Sequence, residues 1–281
     1  MTRPPALALG TAQFGLAYGI AGAQHPVHPD EVRSILELAV ERGIRRLDTA
    51  PAYGDIEARL GDLIAALPLS VVSKIPAVRS ELRPAEQLAF IKDSVELSKA
   101  RLGAALVGIL FHDPRALSGP DAMDRISVVL SECREANVAV GLSGYDPATT
   151  GETVAAFSLS MAQVPGNVVD QRFVRAHQSF GDAEVTVRSI FLQGLLLMDL
   201  EAASAKVPAA KPILKRWHEW IARRALTPMQ AATAVARSFP CDYCVVGVDS
   251  RDQLMAILDA WDLPPMDASE MASEALEVID P

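Results

Sequence analysis

The stretch Leu47-Asp48-Thr49-Ala50-Pro51-Ala52-Tyr53-Gly54-Asp55-Ile56-Glu57-Ala58-Arg59-Leu60-Gly61 decides how the rest of the chain is read. A short apolar-leaning run, Ile44 to Leu47, stops at Asp48. A tight connection with Pro51 and Gly54 carries Tyr53, and a helical pattern follows with Leu60, Leu63, Ile64 and Leu67 on one face. Asp48 is therefore expected at the carboxyl end of a strand, with Tyr53 in the loop just beyond it. That is the end of an α/β barrel where chemistry is carried. Two later runs, Val71-Val72-Ser73-Lys74 and Ile109-Leu110-Phe111-His112, end in the same manner. Together the three strand ends offer a phenol, a carboxylate, an ammonium and an imidazole.

Working outward, eight apolar runs alternate with helical patterns. The predicted strands are Ala6 to Gly10, Ile44 to Leu47, Leu69 to Ile75, Ala105 to Phe111, Val138 to Ser143, Leu159 to Val164, Glu184 to Phe191 and Tyr243 to Val248. Between them, Pro29 to Arg42 and Pro84 to Leu102 read as helices opened by proline and closed by Gly43 and Gly103. Nearly unbroken apolar strands fit a parallel sheet covered on both faces. Eight strand–helix units in one domain over residues 1–281 predict an α/β fold of the (β/α)8 TIM-barrel type. No GxGxxG follows the first strand, which disfavours a dinucleotide fold of the open-sheet kind.

Composition narrows the function. The chain has 281 residues, is 50% hydrophobic and carries a formal net charge of −9, which argues against nucleic acid or an acidic membrane as a general partner. No apolar run is long enough to span a membrane, and Met1-Thr2-Arg3-Pro4-Pro5 lacks the apolar core of a signal peptide. A cytoplasmic protein, monomeric or a small homo-oligomer, is expected. Cys241-Asp242-Tyr243-Cys244 is a lone CxxC; with no second ligand pair, no metal site is expected. The segment between strands seven and eight holds Lys206, Lys211, Lys215, Arg216, Arg223 and Arg224 against Glu219 alone. It reads either as a solvated helix face or as a positive rim near the phosphate side of the barrel.

The stretches LALGTAQFG, LDTAPAYGDIEARLG, VVSKI, LFHDP, GLSGY, QVPGNVVDQ, RSIFLQGLL and VVGVDSRDQL, in this order, make the chain resemble the aldo-keto reductase superfamily over nearly its whole length. The resemblance implies reduction of an aldehyde or ketone by NADPH, with NADH possible. The opening GTAQFGLAYGIA resembles family members of bacterial sugar and surface-polysaccharide pathways, which implies a sugar-like carbonyl. The resemblance as a whole implies Tyr53 as general acid, tuned by Lys74 and Asp48, with His112 orienting the substrate. Elementary chemistry agrees: a phenol with a pKa near ~10 is a poor acid at neutral pH. A nearby ammonium lowers that pKa, and a carboxylate keeps a buried lysine charged. Taken singly, Asp48 reads as a turn cap, Tyr53 as a loop aromatic, Lys74 as a barrel-mouth ion pair and His112 as a core histidine.

For the cofactor, the glycine-containing strand end at Gly10 and Thr11 lets backbone approach a ligand. By resemblance, Ser143 and Gln163 hold the carboxamide, although Gly144 stands where an asparagine is usual. Arg188 stands where many members stack a tyrosine under the nicotinamide. Ser189, Gln193 and Gly194 fall along the pyrophosphate. Gly247, Val248 and Gln253 replace the lysine, serine and arginine common in members that select NADPH. Asp249 and Ser250 share that turn, and the helix start behind them suits an anion. Two other functions compete: a Schiff-base aldolase with Lys74 as nucleophile, and a nucleotide-binding regulatory subunit with little turnover.

Overall fold

The structure, a computed structural model, describes residues 4–20 and 25–279. The expectation about a leader rests partly on residues 1–3, which lie outside this range. Eight parallel strands close into a barrel in chain order. They are β1 (Ala6–Gly10), β2 (Arg46–Asp48), β3 (Ser70–Ile75), β4 (Leu106–Phe111), β5 (Ala139–Ser143), β6 (Met161–Pro165), β7 (Glu184–Arg188) and β8 (Tyr243–Gly247). The closing seam pairs β1 with β8 from Ala6↔Tyr243 to Gly10↔Gly247. The expected (β/α)8 barrel is thus the observed fold.

Alternation along the strands explains why so many apolar residues are needed. Val72, Leu110 and Met161 form a separate cluster, whereas their sequence neighbours Val71, Ile109 and Phe111 join the large core. Successive strand side chains point to opposite faces, so the first set fills the barrel and the second meets the helices. At the amino-terminal end, Arg46 pairs with Glu184 at 2.7 Å and lies 4.6 Å from the Tyr243 ring centroid. All three are first residues of their strands. No strand precedes Ala6 among the described residues.

The helices are α1 (Ala12–Gly15), α2 (Pro29–Glu41), α3 (Ile56–Ile64), α4 (Pro84–Leu102), α5 (Ala122–Arg134), α6 (Pro147–Ala156) and α7 (Arg172–Ala176), followed by α8 (Leu200–Lys206), α9 (Lys211–Ala222), α10 (Pro228–Ala236), α11 (Arg251–Trp261) and α12 (Leu276–Ile279). In α2, Val32, Ile35, Leu36, Leu38 and Ala39 are buried, and Gly43, with φ +88°, takes the left-handed turn that ends it. Thr227 caps α10 reciprocally with Gln230. The excursion α8–α9 is anchored by Trp217 and Trp220, fully buried and stacked 5.6 Å apart.

The strand reading errs most at β7, which stops at Arg188 rather than Phe191. Ser189 has φ +63°, which no strand tolerates. Ile190, Phe191 and Leu192 are buried as loop residues, and burial alone made them look like strand. The positive rim is also absent. Lys215 faces Glu219, Arg216 donates to the Glu270 carbonyl oxygen, and Arg224 stacks on Trp220 near the Glu270 carboxylate. None of the six basic residues lines the cleft described below.

Candidate active site

In the β2–β3 register Asp48 lies opposite Val72, and Lys74, two residues further along β3 on the same face, reaches back over it. Lys74 Nζ donates to Asp48 Oδ1 at 2.8 Å and Oδ2 at 2.9 Å, to the Thr49 carbonyl oxygen at 3.0 Å and to Tyr53 Oη at 3.4 Å. Lys74 is only 1% exposed. Burial alone would lower its pKa, but Asp48, joined by Tyr53, outweighs this and raises it above the ordinary lysine value. The ammonium is therefore held charged. His112 follows β4, and its ring stands edge-on to Tyr53 with centroids 6.2 Å apart. Asp48, Tyr53, Lys74 and His112 are thus gathered at the carboxyl end of the barrel.

The Tyr53 pKa runs against the sequence reading. Burial raises it above 10, and this exceeds the lowering by Lys74 in the free protein. The cation acts in the expected direction but does not win, because desolvating a phenolate in this pocket is the larger effect. His112 is pushed down to about 4, first by burial and then by the Lys74 charge. Its imidazole is therefore neutral at working pH. The unfolded chain protonates His112 below about 6.5, whereas the folded chain resists until about 4. Stability linked to this group is full above 6.5 and falls as pH drops towards 4. His112→Gln is expected to flatten that part of the profile of thermal midpoint against pH. An unchanged slope between 6.5 and 4 would show that His112 titrates normally.

The backbone positions Tyr53 closely. A methyl group on Gly15 would overlap the Tyr53 carbonyl oxygen, and Gly54, with φ +67°, faces the Gly15 carbonyl. The glycines following β1 therefore let one strand-end loop seat against the next, in addition to facing ligand space. Thr11 Oγ1 meets Thr49 Oγ1 at 2.8 Å and adds a further tie. Sequence reasoning missed Glu57. It is fully buried and accepts from Ser73 Oγ, from Ser98 Oγ at 2.9 Å and from Arg101 Nη1 at 2.8 Å, joining α3 to β3 and α4. Its place one turn before Leu60 and two before Ile64, on the apolar face, was the available signal.

A cleft of about 360 Å³ runs from Asp48 and Tyr53 past Arg188, Ser189 and Gln193 to Gly247, Asp249 and Gln253, with Gly10 and Thr11 at its floor. Gln13, Tyr18, Phe191, Met198 and Met229 also line it and were not anticipated. Among the described residues none beyond Ile257 lines it. Ser189, Gln193 and Gly194 have φ of +63°, +53° and +89°. These left-handed residues fold the loop on itself: the Leu192, Gly194 and Leu195 N–H groups donate to the Ser189, Phe191 and Leu192 carbonyl oxygens at 2.8, 3.0 and 3.0 Å. Ser143 and Gln163 lie outside the lining, linked to each other at 3.1 Å, and Gln163 Nε2 donates to Asp48 Oδ2 at 2.7 Å.

Ser250 is not a lining residue either. It caps α11, accepting from Gln253 N at 3.2 Å, while Gln253 Oε1 accepts from Asp249 N at 2.8 Å. Glu31, from α2, accepts from Arg251 N at 2.6 Å. The helix start expected to receive an anion is thus largely satisfied by the protein's own side chains. Cys241 and Cys244 sit at the other end of β8 with sulfurs 3.8 Å apart. Among the described residues no cluster of His, Cys, Asp and Glu suits a metal, and no helix is long and apolar enough to cross a membrane.

The sequence profile of the Aldo/keto reductase family matches residues 6–275. The chain belongs to that family, whose members are generally NAD(P)H-dependent oxidoreductases acting on small carbonyl compounds. No curated protein sequence matches the chain. Among solved structures it is similar to an aldo-keto reductase from Bacillus halodurans in its holo form, with TM-score 0.69, 20% identity, and coverage of 94% of this chain and 89% of that one. It is also similar to glycerol dehydrogenase from Gluconobacter oxydans, with TM-score 0.69, 20% identity, and coverage of 98% and 93%. A third is an aldo-keto reductase from Klebsiella pneumoniae in complex with NADPH, with TM-score 0.66, 17% identity, and coverage of 95% and 89%.

Proposed function

We propose that this protein reduces an aldehyde or ketone to an alcohol, with Tyr53 as the proton donor. The observation that carries the reading is Lys74 Nζ, bonded at once to Asp48 and to Tyr53 Oη at the edge of a lined cleft. A nicotinamide cofactor bound along the cleft would supply the hydride to the carbonyl carbon. Tyr53 Oη gives its proton to the carbonyl oxygen, and Lys74 stabilises the phenolate left behind. Asp48 keeps Lys74 charged. Neutral His112, beside the Tyr53 ring, donates to the same oxygen and orients it. Gly10, Thr11, Ser189, Gln193, Gly247, Asp249 and Gln253 would hold the cofactor, with Ser143 and Gln163 behind the carboxamide and Ser250 fixing the α11 turn. The aldolase reading is disfavoured: an amine nucleophile needs a lowered pKa, and that of Lys74 is raised. A panel of aldehydes, ketones and sugar-like carbonyls with NADPH and NADH, followed at the nicotinamide absorbance band, tests the reading. Tight nucleotide binding without turnover of any member would favour the regulatory-subunit alternative.

Cofactor choice follows from the α11 start. A 2′-phosphate seeks N–H donors and cations, but Glu31 already occupies Arg251 N and Asp249 adds a second carboxylate. The basic segment from Lys206 to Arg224 supplies no lining residue. NADH and NADPH are expected to differ modestly in kcat/KM, and Glu31→Gln or Asp249→Ala to move the ratio a few-fold toward NADPH. Exposed charges at a helix end are worth about 1 kcal/mol or less. Wild-type preference for NADPH above ~10³, equivalent to ~4 kcal/mol, would contradict this account of the turn.

A further inference from the structure

Arg188, the last residue of β7, lies on the same cleft as Tyr53 and Asp48. Its guanidinium covers the Tyr145 ring, 4.8 Å from the centroid. Its hydrogen bonds go to the Gly144 carbonyl oxygen at 3.2 Å and, at 3.5 Å, to Ser189 Oγ. Both acceptors are uncharged, and Arg188 forms no ion pair among the described residues. Other partly buried arginines are differently placed. Arg46, Arg101 and Arg172 each end on a carboxylate, and Arg237 is held by the Trp261 and Leu263 carbonyl oxygens.

The charges at the mouth leave a remainder. Asp48 is matched by Lys74, and His112 is neutral at working pH, with the Arg188 charge among the causes. Arg188 therefore adds a positive charge, with no ion-pair partner among the described residues, to the cleft that Tyr53 and, further along, Asp249 also line, in a molecule whose formal net charge is −9. Stacking uses the face of a guanidinium and leaves its edge N–H groups for an anion, in a fork that matches a carboxylate.

We propose that the carbonyl substrate carries a carboxylate and that Arg188 is the group that binds it, holding the carbonyl beside Tyr53. This deepens the reductase reading and rests on it. It also gives Arg188 a role different from packing under the nicotinamide.

The test compares 4-carboxybenzaldehyde with its neutral methyl ester, and glyceraldehyde 3-phosphate with glyceraldehyde, in wild type, Arg188→Met and Arg188→Lys. Hydrogen bonds to charged groups predict a wild-type kcat/KM ratio of acid to ester on the order of 10- to 100-fold. The ratio should approach unity in Arg188→Met, survive in part in Arg188→Lys, and shrink with added salt. A wild-type ratio near unity, or one unmoved by Arg188→Met, overturns the proposal while leaving the reductase reading intact. So does an effect of Arg188→Met confined to cofactor affinity, read by tryptophan fluorescence. A larger preference within the phosphate pair overturns the carboxylate assignment. Absence of turnover with every carbonyl sinks the reductase reading instead. Calorimetric titration with benzoate against benzamide then decides the anion site by itself: binding of benzoate that is lost in Arg188→Met supports it, and equal binding of the two overturns it.

Discussion

Tyr53→Phe is expected to abolish nearly all carbonyl reduction while the protein folds and binds nucleotide as before. The ring, with its edge-on contact to His112, is kept. What disappears is the hydroxyl and its 3.4 Å contact with Lys74 Nζ. Lys74 retains Asp48 and the Thr49 carbonyl, so no buried cation is orphaned. Loss of a positioned proton donor reduces rate by roughly 10²–10⁴-fold, and the missing long hydrogen bond is worth about 1 kcal/mol or less. Steady-state kcat, cofactor affinity and the denaturation midpoint together check this. A near wild-type kcat in Tyr53→Phe would assign the proton to another group, whereas a large loss of stability would mean that the hydroxyl chiefly serves folding.

Lys74→Met is expected to have the largest effect on stability. It leaves the Asp48 carboxylate buried with Gln163 Nε2 as its remaining side-chain donor. Removing one member of a buried ion pair typically costs about 3–5 kcal/mol. Asp48→Asn in the same chain should recover part of this, because a neutral pair carries no uncompensated charge. The native pair holds through the neutral range. The Lys74 pKa is raised, so its contribution is complete below the ordinary value of 10.5 and is lost only as pH climbs through the folded value. Catalysis carries a separate signature. Without the ammonium, the Tyr53 pKa moves still higher, and the alkaline limb of the reduction profile moves to higher pH. An unmoved limb alongside the loss of stability would make Lys74 purely structural. A double variant no more stable than Lys74→Met would place the cost outside the pair.

The barrel and the four residues at its mouth were legible because both follow from local pattern. Apolar runs between helical repeats give the strands, and a polar residue at the end of each run is where a parallel barrel keeps its ligand-facing groups. What escaped depends on distances in space. Glu31 reaches Arg251 N across 220 positions of sequence, so nothing in the VDSRDQ turn reveals that its amide is taken. The face of Arg188 is decided by Tyr145, on the loop of another strand. The sign of the Tyr53 shift depends on how much water the folded cleft removes, and Lys74 alone suggested the opposite sign. Phe191 looked like strand because apolar burial is the same signal in a left-handed loop as in an extended one.

The hydrogen bonds linking Ser143 to Gln163, Gln163 to Asp48, and Lys74 to both Asp48 and Tyr53 form one continuous line across the carboxyl end of the barrel. The groups proposed to meet the carboxamide and the group proposed to deliver the proton are therefore not independent modules. A change at Gln163 alters the partner of Asp48, and through it the field on the phenol two residues further along. Evolutionary drift at the nucleotide end is constrained by the chemistry at the other end, and a redesign aimed at cofactor recognition through Ser143 or Gln163 retunes acid strength whether or not that was intended. The positions open to independent variation are those off the line, Glu31, Asp249 and Arg188, where recognition can change while the proton path keeps its wiring.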